Sequence, residues 1–419
     1  MASTLSGLGT RDSGLGTREL LPHESRVPSP ESRVPKAARL RIGMFGLRGL
    51  RPDLEITGFE TAFAEIAPRL VRRGHRVTIY CRAGAHSAAR RVPREDGVEL
   101  RYVPSPGGKN LAAVGSTLLA VLHAMARREF DVWFFVNVGL GHHAALARLA
   151  GAPVVMNVDG LDWTRGKWGP MARAYFRSAA RAAVRSCTAL VTDADAMRAY
   201  YLEHMGRDST MIAYGADIER ARRPELIAPF GVMPRGYYLV VSRLIPENSL
   251  DVMLDGFRRS RTSRRLLVVG GASYRDAFHA RLRALAERDE RIQLVGHVSD
   301  QAVLRELWCN CYAYLHGHSV GGTNPALLRA MGCGASVLAL DTVFNREVLA
   351  DTGRFFARDA RAVAALLDAV DSDAEGAMRL GEAARARAAS RYTWDGVTAQ
   401  YERLFTEAVN DAAALIRRR

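Results

Sequence analysis

From Leu40 onward the chain alternates short, wholly apolar runs with longer segments whose apolar positions recur every three or four residues. The first run, "LRIGMFG", reads as a buried strand, and a glycine-bearing loop leads from it into "TGFETAFAEIAPRLVRRGH". There Phe63, Ile66, Leu70 and Val71 share one helical face. Thr57 and Glu60 form a T-x-x-E capping box, and Pro68 is expected to bend the helix. "HRVTIYC", "VELRYV", "DVWFFVNV", "PVVMNV" and "ALVT" continue the strand series. A break follows over 222–236, containing Pro224, Pro229, Gly231 and Pro234. The alternation then restarts with "YYLVVSRL", "RRLLVVGG", "RIQLVG", "CYAYLHG" and "ASVLAL". This pattern predicts an α/β fold of two Rossmann-like, doubly wound domains facing a central cleft, with ligands outside the C-terminal strand ends.

The expected divisions are a tail over 1–36, a first domain over 37–225, a second over 226–390 and a C-terminal helix over 391–419. In the tail "SGLGTRD" at Ser6 recurs as "SGLGTRE" at Ser13, and "ESRVP" occurs at Glu24 and Glu31. Such repeats with few large apolar residues cannot offset chain entropy by burial, so disorder is expected.

Composition narrows the setting. An apolar fraction of 48% and a charged fraction of 25% over 419 residues fit a soluble two-domain protein. No apolar run is long enough to cross a bilayer and the N-terminus lacks a secretory h-region, so a cytoplasmic location is expected. Cys81, Cys187, Cys309, Cys311 and Cys333 are scattered without metal-knuckle spacing, as buried thiols of a reducing compartment would be. The net charge is +15, and lysine occurs only at Lys36, Lys109 and Lys167, so the basic excess is arginine. Such a chain is drawn to phospholipid headgroups or pyrophosphate-bearing substrates. Nucleic acid is not expected, because no dedicated motif or interleaved aromatics accompany the arginines.

Three loops carry candidate chemistry. "HSVGGTNPALLRAMGCG", His318–Gly334, places Gly321 and Gly322 past a strand end, with Asn324 as helix N-cap and Pro325 at the first helical position. The amides of Gly322, Thr323 and Asn324 and the helix dipole suit an anion, although an ordinary strand–helix turn uses the same residues. "FGLRGLRPDLEITGFET" is not G-x-G-x-x-G, so dinucleotide binding has little support. It leads into a helix aimed at the same cleft. "NVDGLDWTRGKWG" gathers Asp159, Asp162, Trp163, Arg165, Lys167 and Trp168, carboxylates and aromatics that suit hydroxyl recognition and packing against sugar rings. Its Asp-Gly is also a routine turn dipeptide, but tryptophans exposed in a loop call for a role.

With "GFET" at Gly58, "YGAD" at Tyr214, "SRLIPEN" at Ser242 and "FNREVL" at Phe344, these segments resemble the large retaining family of GT-B glycosyltransferases that use nucleotide-sugars. More narrowly they resemble its bacterial rhamnosyltransferase-type subgroup, over about Leu40 to Phe405. The resemblance implies a donor-binding second domain, an acceptor-binding first domain and a C-terminal helix packing back on the first. Arg243 matches the arginine that neutralises donor phosphates, with Gly322, Thr323 and Asn324 supplying amides and no metal cofactor required. Backbone near Val295–His297 would border the base, and Gly58, Glu60, Asn248 and His318 would contact the donor. Asp159 is the expected acid beside the reacting centre, with Tyr201 reaching the cleft from its helix. Trp163, Lys167 and His142 are expected on the acceptor side. His142 and His143 lack metal-ligand spacing.

Three positions depart from the family pattern: Asn248 stands where a lysine is usual, and Gly321 and Arg329 stand where two glutamates are usual. The implied activity is transfer of rhamnose from dTDP-rhamnose to a lipid-linked or growing cell-surface saccharide at the inner membrane face. Open alternatives are another hexose from a UDP- or GDP-sugar, or a nucleotide-sugar-binding protein without turnover.

Overall fold

A computed structural model describes residues 39–50, 58–86, 91–106, 108–164, 168–271 and 277–417. The predicted tail, Thr57 of the capping box and Lys167 of the acceptor side lie outside these residues. The first sheet comprises β1 (Arg41–Phe45), β2 (Arg76–Arg82), β3 (Arg94–Glu95), β4 (Val98–Val103), β5 (Val132–Val136), β6 (Val154–Asn157), β7 (Ala189–Thr192) and β8 (Thr210–Met211). Their order is β3-β4-β2-β1-β5-β6-β7-β8, parallel except for the short β3. The second comprises β9 (Tyr237–Val241), β10 (Arg265–Val269), β11 (Ile292–Gly296), β12 (Ala313–His316), β13 (Ser336–Leu340) and β14 (Gly353–Phe356). Its order is β11-β10-β9-β12-β13-β14, all parallel. Two doubly wound α/β domains are therefore present.

The order in which strands are added reverses between β1 and β5 in the first sheet and between β9 and β12 in the second, although each pair is parallel. Loops leaving those strands splay to opposite sides and open a crevice, which is where such sheets bind ligands. Strands covered on both faces by helices carry continuous apolar runs. Val132 to Val136 and Ser336 to Leu340 are buried at every position.

The helix Gly58–Arg72 runs uninterrupted through Pro68, with Phe63, Ile66 and Leu70 buried. Packing on the sheet outweighs the one hydrogen bond that proline withholds. The final helix, Trp394–Arg417, puts Val397, Tyr401 and Phe405 into the first domain's core beside Phe63 and Phe134. The chain crosses back just before it, where the Ala216 N–H donates to the Tyr392 carbonyl at 2.6 Å. The proline-rich stretch over 222–236 contains a 3-10 turn, Pro224–Phe230, anchored by buried Ile227. No helix among the described residues is long and apolar enough to cross a membrane.

Candidate active site

A cleft of about 720 Å³ opens at the two switch points. Arg48, Gly58, Asn137, Asp159 and Asp193 line it from the first domain, and Ser242, Arg243, His316 and Gly321 to Asn324 from the second. On the second-domain wall the chain leaves β12 at His316 and must clear its neighbours closely. A Cβ at Gly317 would fall on the Asn248 carbonyl, and Gly321 has φ +102°, a conformation that favours glycine. The loop ends at Asn324, whose side chain accepts from the Ala326 N–H at 2.9 Å and caps the helix Pro325–Gly332. The positive end of that helix faces the cleft.

Arg243 follows β9 on the same wall. Its exposed guanidinium makes no hydrogen bond or ion pair with any described residue. Buried Asn248 donates to the Arg243 carbonyl at 2.8 Å, and its Oδ1 meets His318 Nδ1 at 2.7 Å. The residue that replaces the usual lysine thus ties the arginine turn to the glycine loop. His316 is buried, and burial pushes its imidazole down to about 3, so it stays neutral.

The opposite wall holds an acid pair. The ladder pairs Asn157 of β6 with Val191 of β7, so Asp159 and Asp193, each two residues further on, meet side by side. Asp159 is 8% exposed and Asp193 4%. Asp159 accepts from Asn157 Nδ2 and from the Asp193 N–H, both at 2.6 Å. Its side chain also lies within hydrogen-bonding reach of the Asp193 carboxyl. Burial raises Asp159 to about 6, partly offset by these hydrogen bonds. Burial and then the charge of Asp159 raise Asp193 well above the ordinary range. Two facing buried carboxyls disfavour joint ionisation, so the pair keeps a proton to higher pH than either acid alone. Both walls meet at Asp193. A Cβ at Gly322 would overlap its carboxyl, and the Thr323 hydroxyl donates to its carbonyl. Glu347 ties the domains further by accepting from the Asp195 and Ala196 N–H groups at 2.7 and 3.2 Å.

Several expected residues lie elsewhere. Tyr201 is fully buried and donates to the Val158 carbonyl at 3.0 Å, so it props the Asp159 turn instead of entering the cleft. Trp163 is not exposed: at 4% it packs among core residues beside Tyr200, and Trp168 lines the cleft in its place. His142 is exposed next to Tyr175 and Ser178, away from the cleft lining. Glu60 is buried and accepts from the Arg48 N–H at 3.1 Å, so it shapes the first loop without lining the cleft. Arg329 turns away, donating to Gln301 at 2.8 Å and lying over the Trp308 ring at 4.6 Å. Asp193 is a site residue that no sequence motif marks, although "VMNVD" and "ALVTD" end two neighbouring strands with aspartate in the same register. Among the described residues no three His, Cys, Asp or Glu side chains cluster as metal ligands.

Residues 57–215 match the glycosyl transferase 4-like domain, and residues 235–373 match the glycosyl transferases group 1 family. Together the matches span most of both Rossmann-like domains, and the protein is a glycosyltransferase of the GT-B fold. Solved structures of the same architecture include HepE of Anabaena in complex with UDP and glucose, at TM-score 0.71 and 16% identity over 88% of this chain and 100% of that one. Sucrose-phosphate synthase from Thermosynechococcus elongatus aligns at TM-score 0.76 and 14% identity, over 88% of this chain and 99% of that one. WaaG, a glycosyltransferase involved in lipopolysaccharide biosynthesis, aligns at TM-score 0.66 and 16% identity, over 87% and 99%. No curated protein matched in sequence.

Proposed function

We propose that this glycosyltransferase uses a nucleotide-sugar, transferring rhamnose from dTDP-rhamnose to a lipid-linked or growing cell-surface saccharide at the inner face of the cytoplasmic membrane. The observation that carries this reading is one wall with a helix N-terminus and a guanidinium that no described residue pairs, facing a buried acid pair on the other. Arg243 and the amides of Gly322, Thr323 and Asn324 take up the charge of the departing diphosphate without help from a metal. The bond from the anomeric carbon to the phosphate oxygen breaks, and a bond to the acceptor oxygen forms. The acceptor proton leaves towards the phosphate. Asp159 then holds a negative charge against the developing oxocarbenium ion, and the configuration is retained. Exposed Leu118, Leu119 and Leu122 on the helix Gly108–Arg127, with the net charge of +15, support contact with an anionic bilayer.

The test is acceptor-dependent release of nucleoside diphosphate with a lipid-linked GlcNAc acceptor, comparing dTDP-rhamnose, UDP-glucose and GDP-mannose. A UDP arm is included because HepE was solved with UDP-glucose. Preferential turnover of UDP-glucose removes the rhamnose assignment, and release from none removes transfer. Since Asp159 acts ionised and is raised to about 6, turnover is expected to fall as pH drops through that value, because protonation removes the charge. A rate that is flat from pH 7.5 to about 5 rules out that role. Arg243→Gln, which removes a charge-assisted contact, is expected to weaken nucleoside diphosphate binding about 10- to 100-fold by calorimetry while leaving the melting temperature unchanged.

A further inference from the structure

The helix Pro170–Ser186 carries Arg177, Arg181 and Arg185 one turn apart. At 1.5 Å rise per residue, four positions separate neighbours by about 6 Å on one face. Several arginines elsewhere pair with carboxylates: Arg41 with Asp131, Arg101 with Glu129, Arg198 with Asp208, Arg291 with Asp289. Among the described residues these three make no hydrogen bond or ion pair. Three like charges on one face repel one another, so the row is disfavoured until an anion joins it. It also borders a cavity of about 420 Å³, whose other walls are Trp163, Tyr200, His204 and Met205. The Tyr200 and His204 rings stack with centroids 4.3 Å apart, forming a flat aromatic side. Among the described residues no carboxylate lines the cavity. Of the two that adjoin its lining residues in sequence, Asp162 lines the cleft and Glu203 is exposed, 4.0 Å from His204.

The cavity adjoins the reaction cleft through a single turn. Asp159, Gly160 and Asp162 line the cleft, while Trp163, the next residue, lines the cavity. A molecule presenting a hydroxyl near Asp159 would extend its further end past this turn towards the arginines.

We infer that the groove between Arg177, Arg181, Arg185 and the Tyr200–His204 stack binds the diphosphate of the saccharide acceptor. The guanidinium fork pairs bidentately with phosphate, and a group bearing several negative charges satisfies a row that one carboxylate cannot. Val184, Met205 and the aromatic side give the first carbons of a hydrocarbon tail an apolar surface. The inference names a substrate feature within the transfer reading and rests on it.

The probe is farnesyl diphosphate, with farnesol as control, titrated into the full chain and into the triple variant Arg177→Gln, Arg181→Gln, Arg185→Gln. All three side chains are exposed, so the variant is expected to fold, with its melting temperature as the check. Loss of two or more charge-assisted contacts is expected to weaken farnesyl diphosphate binding at least about tenfold, with farnesol unaffected. Binding to phosphatidylcholine vesicles containing phosphatidylglycerol is expected to change less than about threefold, since the exposed leucines lie on another helix. Unchanged farnesyl diphosphate affinity overturns the inference. So does loss of vesicle binding alone, which makes the row a membrane contact. The readout is binding, so a protein that captures farnesyl diphosphate here yet moves no sugar removes the transfer reading and leaves the groove standing.

Discussion

Asp159→Asn is expected to lower sugar transfer by about 10²- to 10⁴-fold while nucleoside diphosphate affinity stays within about threefold of the wild type. The side chain is nearly isosteric, but it can no longer face the anomeric carbon with a full negative charge. Its local cost is bounded by the hydrogen bonds. Asp159 accepts from both Asn157 Nδ2 and the Asp193 N–H, and an amide oxygen can serve only one of these donors well. One buried donor is left short, at about 1–3 kcal/mol. That loss is offset in part because Asp193 no longer sits against a carboxylate, the second cause of its raised pKa. A melting curve therefore separates the two effects. A folded variant with intact nucleotide binding and absent turnover supports Asp159 beside the reacting centre. Wild-type turnover in a folded variant removes Asp159 from that position and leaves the acid pair with a structural role only.

Asp193→Asn is the informative partner. An amide imitates the protonated form that burial and the Asp159 charge favour at Asp193, and transfer within about fivefold of wild type is the corollary. The contrast between two adjacent aspartates rests on environment. Asp159 has two donors aimed at it, whereas Asp193 Oδ1 is buried without a partner among the described residues.

Both α/β domains were legible because buried parallel strands must be continuously apolar, and "VWFFV" and "SVLAL" leave no other reading once glycine and proline punctuate them. The glycine loop was legible for a related reason: Asn324 and Pro325 mark a helix start whatever lies beyond it. Side-chain direction was harder. Tyr200 and Tyr201 are adjacent on a helix and point about 100° apart, so a sequence cannot say which meets the core. In fact Tyr201 is the buried one. The same ambiguity exchanged Trp163 and Trp168 within one irregular loop. Asp193 depended on strand register, which follows only from the pairing of Asn157 with Val191. Asn248 looked like a lost cation, but its amide reaches both the Arg243 carbonyl and His318, a role that only the folded loop reveals.

Gly322→Ala is expected to reduce both nucleoside diphosphate affinity and transfer by at least about a hundredfold, because the methyl group has no space against the first domain. Its Cβ would overlap the Asp193 carboxyl, which is itself held by its own N–H on Asp159 and by the Thr323 hydroxyl on its carbonyl. Neither wall can retreat alone. Withdrawing the loop would carry Thr323 off the Asp193 carbonyl and drag the amides away from Arg243. Moving Asp193 would break the Asp159 contact. The predicted consequence is a cleft that no longer closes around a diphosphate, in a protein whose separate domains stay folded and whose melting temperature falls only slightly. Removing the obstructing carboxyl distinguishes this from a generic loop defect. In an Asp193→Ala background the added methyl finds space, so Gly322→Ala is expected to cost less than about threefold there, a coupling of more than about 2 kcal/mol between the two sites. If the alanine costs the same in both backgrounds, the loop and Asp193 do not close on one another during turnover.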